Sequence, residues 1–215
     1  DSCGVVGIYS PEPINIPSNL FFPLFALQHR GQESAGISYM KDNRLVTYKD
    51  VGMVGTVLSR YLERERYSTV GIGHVRYSTQ GGNKLENAQP MAVSCNKGEI
   101  ALAHNGNISN SRQLKAELFE EGSIFQSTGD SELILHLLSR SSESDFYHAL
   151  AEVLPRLEGA FSIAMIHNGS LLAIRDPRGF RPFYVGWKGD MVVTASETCA
   201  LDILRIKDYR SVETG

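Results

Sequence analysis

The chain has 215 residues, 42% hydrophobic and 21% charged, with a net charge of −3 and no long run of either sign. That balance suits one globular unit with a sizeable core, and it recommends neither nucleic acid nor an anionic membrane as partner. With no 18-residue apolar stretch and no basic-then-apolar leader, neither a transmembrane helix nor a secretory signal is expected. Three scattered cysteines, Cys3, Cys95 and Cys199, resemble neither a disulfide framework nor a zinc site and favour a reducing, cytoplasmic setting.

In chain order, Cys3-Gly4 leads into an apolar run over 5–9 that reads as a buried strand. A cysteine at such a place is either a small packing thiol or a nucleophile, with its own α-amine as base if the chain begins there. Asp1 and Ser2 stand in front of it. Both readings stay open on position alone. Residues 20–28 form an apolar helix candidate interrupted by Pro23.

Four pairs of short apolar runs then flank turn segments: 37–40 with 45–48, 91–95 with 100–103, 161–166 with 171–174, and 183–187 with 191–195. The breaks between them are rich in Asn, Asp and Gly, the residues that accept the positive φ of tight hairpins, so mostly antiparallel sheet is expected. Between the hairpins lie amphipathic helix candidates. Asn110 is a candidate cap for 111–121 with Gln113 at the capping-box position, and Asp130 for 131–140. A third begins at Ser144 or Asp145 and must kink or end at Pro155. Hairpins with helices and no regular βαβ alternation predict an α+β fold. Strands at 70–75 and 161–166 are apolar on both faces, which fits sheets in an inner layer with helices outside.

Three stretches carry more polar and glycine residues than packing needs. In 71–82 a strand ends at Arg76 and enters a Gly/Ser/Thr loop; the arginine is either a surface group or a planar fork for a carboxylate. His74, on that strand, reads as a hydrogen-bonded core histidine. In 103–110 a strand ends in His104-Asn105-Gly106-Asn107. This is either a plain turn or an oxyanion hole made by the Asn105 amide and the Gly106 N–H, where glycine lets substrate approach the backbone. In 127–132 Asp130 is either an ordinary N-cap or a carboxylate for an α-ammonium. Combined, a thiol, an oxyanion hole, an arginine and an aspartate describe a site for an amino acid with an acyl side chain, glutamine first among them.

Several stretches, in order, carry a more specific signal: Cys3-Gly4-Val5-Val6-Gly7-Ile8, Gln28-His29-Arg30-Gly31-Gln32, Gly73-His74-Val75-Arg76-Tyr77-Ser78-Thr79, Asn87-Ala88-Gln89-Pro90, His104-Asn105-Gly106-Asn107, Asp130-Ser131-Glu132, Arg175-Asp176-Pro177-Arg178-Gly179 and Ala195-Ser196-Glu197-Thr198. In these the chain resembles the glutaminase domain of the amidophosphoribosyltransferase family, class II glutamine amidotransferases of the N-terminal-nucleophile hydrolase superfamily. The resemblance implies a four-layer αββα sandwich of two mostly antiparallel sheets covered by helices, with 1–215 as one glutaminase domain. It implies Cys3 as nucleophile, Asn105 and Gly106 as oxyanion hole, and Arg76 and Asp130 on the two backbone ends of glutamine. Thr79, on a loop closing over glutamine, and Arg30, near the active site, are implied as substrate-binding. The implied reaction passes through a cysteinyl thioester and yields glutamate and ammonia, the ammonia going to a phosphoribosyltransferase domain in the first committed step of purine synthesis.

The resemblance covers essentially the whole chain but the first half of the family enzyme. The chain alone is therefore expected to hydrolyse glutamine and to make no phosphoribosylamine. No cofactor or metal is assigned to it; Mg and an iron–sulfur cluster are expected only with the other half, and a homo-oligomer only for the full enzyme. Asp1-Ser2 reads as the remnant of a removable leader or an addition made for expression. While it remains attached Cys3 offers an amide nitrogen, which is no base, so poor activity is expected until trimming. Rival expectations are the glutaminase half of glucosamine-6-phosphate synthase, a blocked glutamine-binding module, and a papain-like thiol hydrolase, for which no Cys–His pairing motif is evident.

Overall fold

The structure, a computed structural model, describes residues 3–63, 65–77 and 84–215. Two antiparallel sheets form its centre. The larger has seven strands: β1 (Gly4–Asn15), β2 (Ser34–Lys41), β3 (Arg44–Val51), β4 (Tyr67–Arg76), β9 (Tyr184–Lys188), β10 (Met191–Ala195) and β11 (Asp208–Ser211), in the spatial order β11-β9-β10-β1-β4-β2-β3. The smaller has β5 (Met91–Cys95), β6 (Gly98–Ile108), β7 (Gly159–His167) and β8 (Ser170–Arg175) in sequence order.

All four expected hairpins form, each at its polar break. Lys41 pairs with Arg44 across Asp42-Asn43, whose φ values of 50° and 60° are those of a type I′ turn. Cys95 pairs with Gly98, His167 with Ser170 and Lys188 with Met191.

Helices cover the outer face of each sheet. α1 (Ile16–Ala26), α2 (Val54–Leu62) and α6 (Thr198–Ile203) lie on the larger sheet, and α3 (Ser111–Glu120), α4 (Ser131–Arg140) and α5 (Phe146–Val153) on the smaller. Three apolar cores result. One joins Val6 and Ile8 of β1 to Leu20 and Leu24 of α1 and Val57 and Leu58 of α2. Another joins Ile100, Leu102, Ile163 and Met165 to Leu133, Leu137 and Leu150. Between the sheets Val5, Val70, Ile72, Ala101, Ala103, Ala164 and Ile166 pack with no helical residue among them. Successive residues of one strand thus serve different cores, which is why β4 and β7 are apolar on both faces. The layers are helix, sheet, sheet, helix, the expected αββα sandwich. Among the described residues no helix is long and apolar enough to cross a membrane.

The start of α1 and several expected capping contacts differ from expectation. α1 starts at Ile16-Pro17, earlier than the apolar run suggested, because proline is well placed in a first turn. Asp145 caps α5 through the N–H groups of Tyr147 and His148. Asn110 does not cap α3; its amide instead joins the Arg156 carbonyl and the Glu158 N–H, tying α3 to the segment before β7. Gln113 likewise turns away from a capping box and bonds Glu117. Asp130 precedes α4 without capping it. Its carboxylate is directed elsewhere.

Candidate active site

Cys3 sits immediately before β1, where the backbone of the larger sheet takes up regular pairing: Gly4 lies opposite Val75, one residue short of Arg76 at the end of β4. The ends of β1 and β4 therefore deliver a thiol and a guanidinium to the same edge. Arg76 is 7% exposed, and its Nη1 lies 3.7 Å from Glu33 Oε2. Gly31 packs flat on the Arg76 backbone; a Cβ there would lie 2.5 Å from the Arg76 carbonyl carbon, so only glycine fits. The Cys3 Sγ contacts the Tyr77 carbonyl oxygen at 3.7 Å. Burial pushes the Cys3 thiol above its ordinary value, against the opposing pull of a backbone hydrogen bond with Tyr77 and of Arg76; Asp130 adds to the rise and Arg30 opposes it. A thiol so placed stays protonated near neutrality. It needs a proton acceptor before it can attack.

The smaller sheet contributes β6. His104 faces the helices and Asn105 faces the other sheet, following the alternation of Leu102 and Ala103. His74, fully buried on β4, bridges the two sheets through Nε2 to the His104 carbonyl at 3.0 Å; burial is the main reason its pKa falls to about 3. It is the core histidine that its position suggested. Gln89 ties the same strand to α4, accepting the His104 N–H at 2.7 Å and donating to Ser131 Oγ at 3.0 Å.

Asn105 is wholly buried, and neither its Oδ1 nor its Nδ2 has a partner among the described residues. A buried amide left unpaired is costly and calls for an explanation. Gly106 follows with φ +155°, and an added Cβ would fall 2.6 Å from Phe161 Cα, so glycine is required there.

Asp130 comes from the turn before α4. One oxygen accepts the Ile108 N–H at 2.9 Å, and the other lies 3.5 Å from His104 Nδ1. Burial raises its pKa, but His104 and the Ile108 N–H outweigh that, and the carboxyl is held below its ordinary range. The loop that carries it is fixed from three sides. Asn87 Oδ1 accepts the N–H groups of Thr128 and Gly129, Glu132 accepts those of Gln126 and Ser127, and Lys115 Nζ donates to the Thr128 and Gly129 carbonyls.

A cavity of about 80 Å³ opens among these groups. Cys3, Arg76, Gly106 and Asp130 line it, joined by His104, Lys115 and the 128–131 turn. Asn105 is adjacent to Gly106 but does not itself line the cavity. Arg30, expected to be substrate-binding and near the active site, lies beside Cys3. It is not among the lining residues; its Nε donates to the Cys3 carbonyl at 2.9 Å and its Nη1 is paired with Glu197. Thr79, and with it the expected closing loop, lies outside the described residues, as do Asp1 and Ser2. Sequence reasoning passed over Asn87, Lys115 and Glu197 as site residues. Asn87 and Glu197 stand in the quoted family stretches, but nothing local in them discloses a role.

A family model described as a glutamine amidotransferase domain matches residues 74–202. The amidophosphoribosyltransferase of Methanocaldococcus jannaschii is 43% identical over 99% of this chain and 46% of its own length. Amidophosphoribosyltransferase 3, chloroplastic, of Arabidopsis thaliana is 43% identical over the whole chain and 40% of its own length. Among solved structures, the glutamine phosphoribosylpyrophosphate amidotransferase from B. subtilis, complexed with ADP and GMP, superposes with a TM-score of 0.90 at 39% identity, over 99% of this chain and 46% of that one. A glutamine aminotransferase class-II domain protein from Silicibacter pomeroyi, at 18% identity and a TM-score of 0.66, shares the fold. The chain spans less than half the length of these curated relatives. With the domain model matched over more than half its residues, the chain belongs to the glutamine amidotransferase domain family.

Proposed function

We propose that this chain hydrolyses the side-chain amide of glutamine and is the ammonia-supplying half of an amidophosphoribosyltransferase. The observation that carries the reading is the convergence of Cys3, Arg76, Asp130 and Gly106 on one small polar cavity. Arg76 receives the α-carboxylate of glutamine as a planar fork, and Asp130, kept ionised, receives the α-ammonium. The side chain then extends toward Cys3.

The Cys3 sulfur attacks the side-chain carbonyl carbon, and the negative charge that develops on oxygen meets the Asn105 amide and the Gly106 N–H. The Asn105 amide, already desolvated beside the cavity wall at Gly106, has no hydrogen bond among the described residues to give up as that charge appears. Collapse of the tetrahedral adduct expels ammonia and leaves a thioester; water then releases glutamate and restores the thiol. The thiol proton goes first to the α-amine of Cys3 in a chain that begins there, and from it to the leaving nitrogen. Amine and thiol have ordinary pKa values of about 7.7–8.0 and about 8.5, so the transfer is nearly balanced. Burial, by raising the thiol, makes the transfer somewhat uphill from that balance.

The relatives' names and their doubled length support the wider reading, in which ammonia passes to a phosphoribosyltransferase half. Magnesium and any iron–sulfur cluster belong with that half. The test is ammonia release from glutamine by the form trimmed to Cys3, beside Cys3→Ser. Release by the first and none by the second is expected; equal release by both would refute the assignment.

A further inference from the structure

The segment after β10 reaches back to the start of β1 at two consecutive residues. Ser196 Oγ accepts the Val5 N–H at 2.9 Å, and the Ser196 N–H donates to the Val5 carbonyl at 3.0 Å. Glu197, next in sequence, holds Arg30 through Oε1 and His29 through Oε2, the latter at 2.9 Å from Nε2. Arg30 spends its remaining direction on the nucleophile, donating Nε–H to the Cys3 carbonyl at 2.9 Å.

Cys3 stands just outside the ladder, so its backbone takes its orientation from this contact. The arginine is nearly buried, with 9% of its side chain exposed. A buried guanidinium keeps one orientation only while its charge is compensated, and Glu197 supplies that compensation. Burial raises the Glu197 carboxyl, but its pairing with Arg30 and His29 outweighs this and keeps it ionised. The turn carrying Arg30 is also fixed: Gln28 Oε1 accepts the Val54 N–H at 2.8 Å, and Gly31 is seated on the Arg76 backbone.

We infer that Glu197 is a positioning residue for the nucleophile. Through Arg30 it fixes the Cys3 carbonyl, and hence the direction of the Cys3 side chain, while Ser196 fixes the residue after next. The inference rests on Cys3 being the attacking group. A small displacement of an attacking atom is enough to cost about 10²-fold in rate. Neither Glu197 nor Arg30 lines the cavity, so glutamine affinity is set elsewhere.

The test compares Glu197→Ala, Glu197→Gln and Arg30→Lys with the parent, in the chain and in its form trimmed to Cys3. It measures ammonia release, the rate of Cys3 alkylation by an electrophilic glutamine analogue, and urea stability. Glu197→Ala should lower kcat and the alkylation rate by about 10- to 100-fold, with KM within about twofold of the parent. Glu197→Gln, which keeps an acceptor for Arg30, should recover part of the loss. Arg30→Lys keeps the ion pair but loses the Nε donor, so it should behave like Glu197→Ala even if the alanine variant folds poorly. Unchanged kcat and alkylation in folded Glu197→Ala or Arg30→Lys would overturn the inference, as would a rise in KM alone. If the trimmed parent itself is not alkylated at Cys3, the reading of Cys3 fails and the positioning role falls with it. If the parent reacts and the variants match it, only the positioning role fails.

Discussion

Asn105→Ala separates a catalytic amide from a packing one because the two roles predict opposite changes in stability. The side chain is wholly buried, and both of its polar atoms lack partners among the described residues. Keeping an unsatisfied amide out of water costs about 1–3 kcal/mol, a penalty that truncation removes. Against this, the substitution leaves a void of roughly methyl size or a little more, worth about 1 kcal/mol. The balance puts Asn105→Ala within about 1 kcal/mol of the parent, or above it, in urea unfolding. Turnover should behave otherwise: removing one oxyanion donor costs about 10²–10³-fold in kcat. Urea denaturation followed by an ammonia-release assay on the form trimmed to Cys3 measures both. A variant that loses more than about 2 kcal/mol while its turnover is unaffected would refute the reasoning, and would make Asn105 an ordinary core residue.

Other predictions follow from neighbouring groups. Asp130→Asn should lower kcat/KM for glutamine by about 10- to 150-fold, the worth of one charge-assisted hydrogen bond, mostly through KM; an unchanged KM would remove Asp130 from the substrate. Gly106→Ala must place a Cβ 2.6 Å from Phe161 Cα, and should cost at least about 2 kcal/mol in urea unfolding; parent-like stability would mean the strand relaxes freely there. His74 stays neutral in the fold down to about pH 3, whereas the unfolded chain protonates its histidine near pH 6.5. Between those values the unfolded state binds more protons, so stability falls as pH falls, by about 2 kcal/mol from pH 7 to pH 5. His74→Gln should flatten that part of the pH–stability curve, and an identical curve would place the dependence on other groups.

The strands were legible because their turns are local: Asp42-Asn43 and Asn168-Gly169 take positive φ, and their residue types announce it. The two-sided apolarity of β4 and β7 also announced an inner layer, since each strand feeds two cores. α2 was not legible. Val54-Gly55-Thr56-Val57 carries β-branched residues and glycine with no capping side chain, and the helix forms because Val57 and Leu58 are buried against α1 and β2. α6, only six residues long, gave no periodicity to read. In the site, Cys3, Arg76 and Asp130 sit at the ends of elements and Gly106 lies in the last stretch of β6, where polar and glycine residues interrupt apolar runs and can be noticed. The role of Arg30 could not be read in this way. Its partner Glu197 lies 167 residues away, and only the fold brings that carboxylate to it and turns the guanidinium toward the Cys3 carbonyl. Asp130 shows the converse: a residue in cap position whose carboxylate is diverted to Ile108 and His104 by strands that its own neighbourhood does not reveal.

The central claim is that Cys3 is a nucleophile addressed by bound glutamine, and chemical labelling tests it most directly. The form trimmed to Cys3 would be treated with an electrophilic glutamine analogue, with and without excess glutamine, and examined by intact mass and peptide mapping. The account predicts a single adduct on Cys3, slowed by glutamine, with Cys95 and Cys199 unmodified. Labelling that falls on Cys95 or Cys199 instead, or that glutamine does not slow, would contradict it.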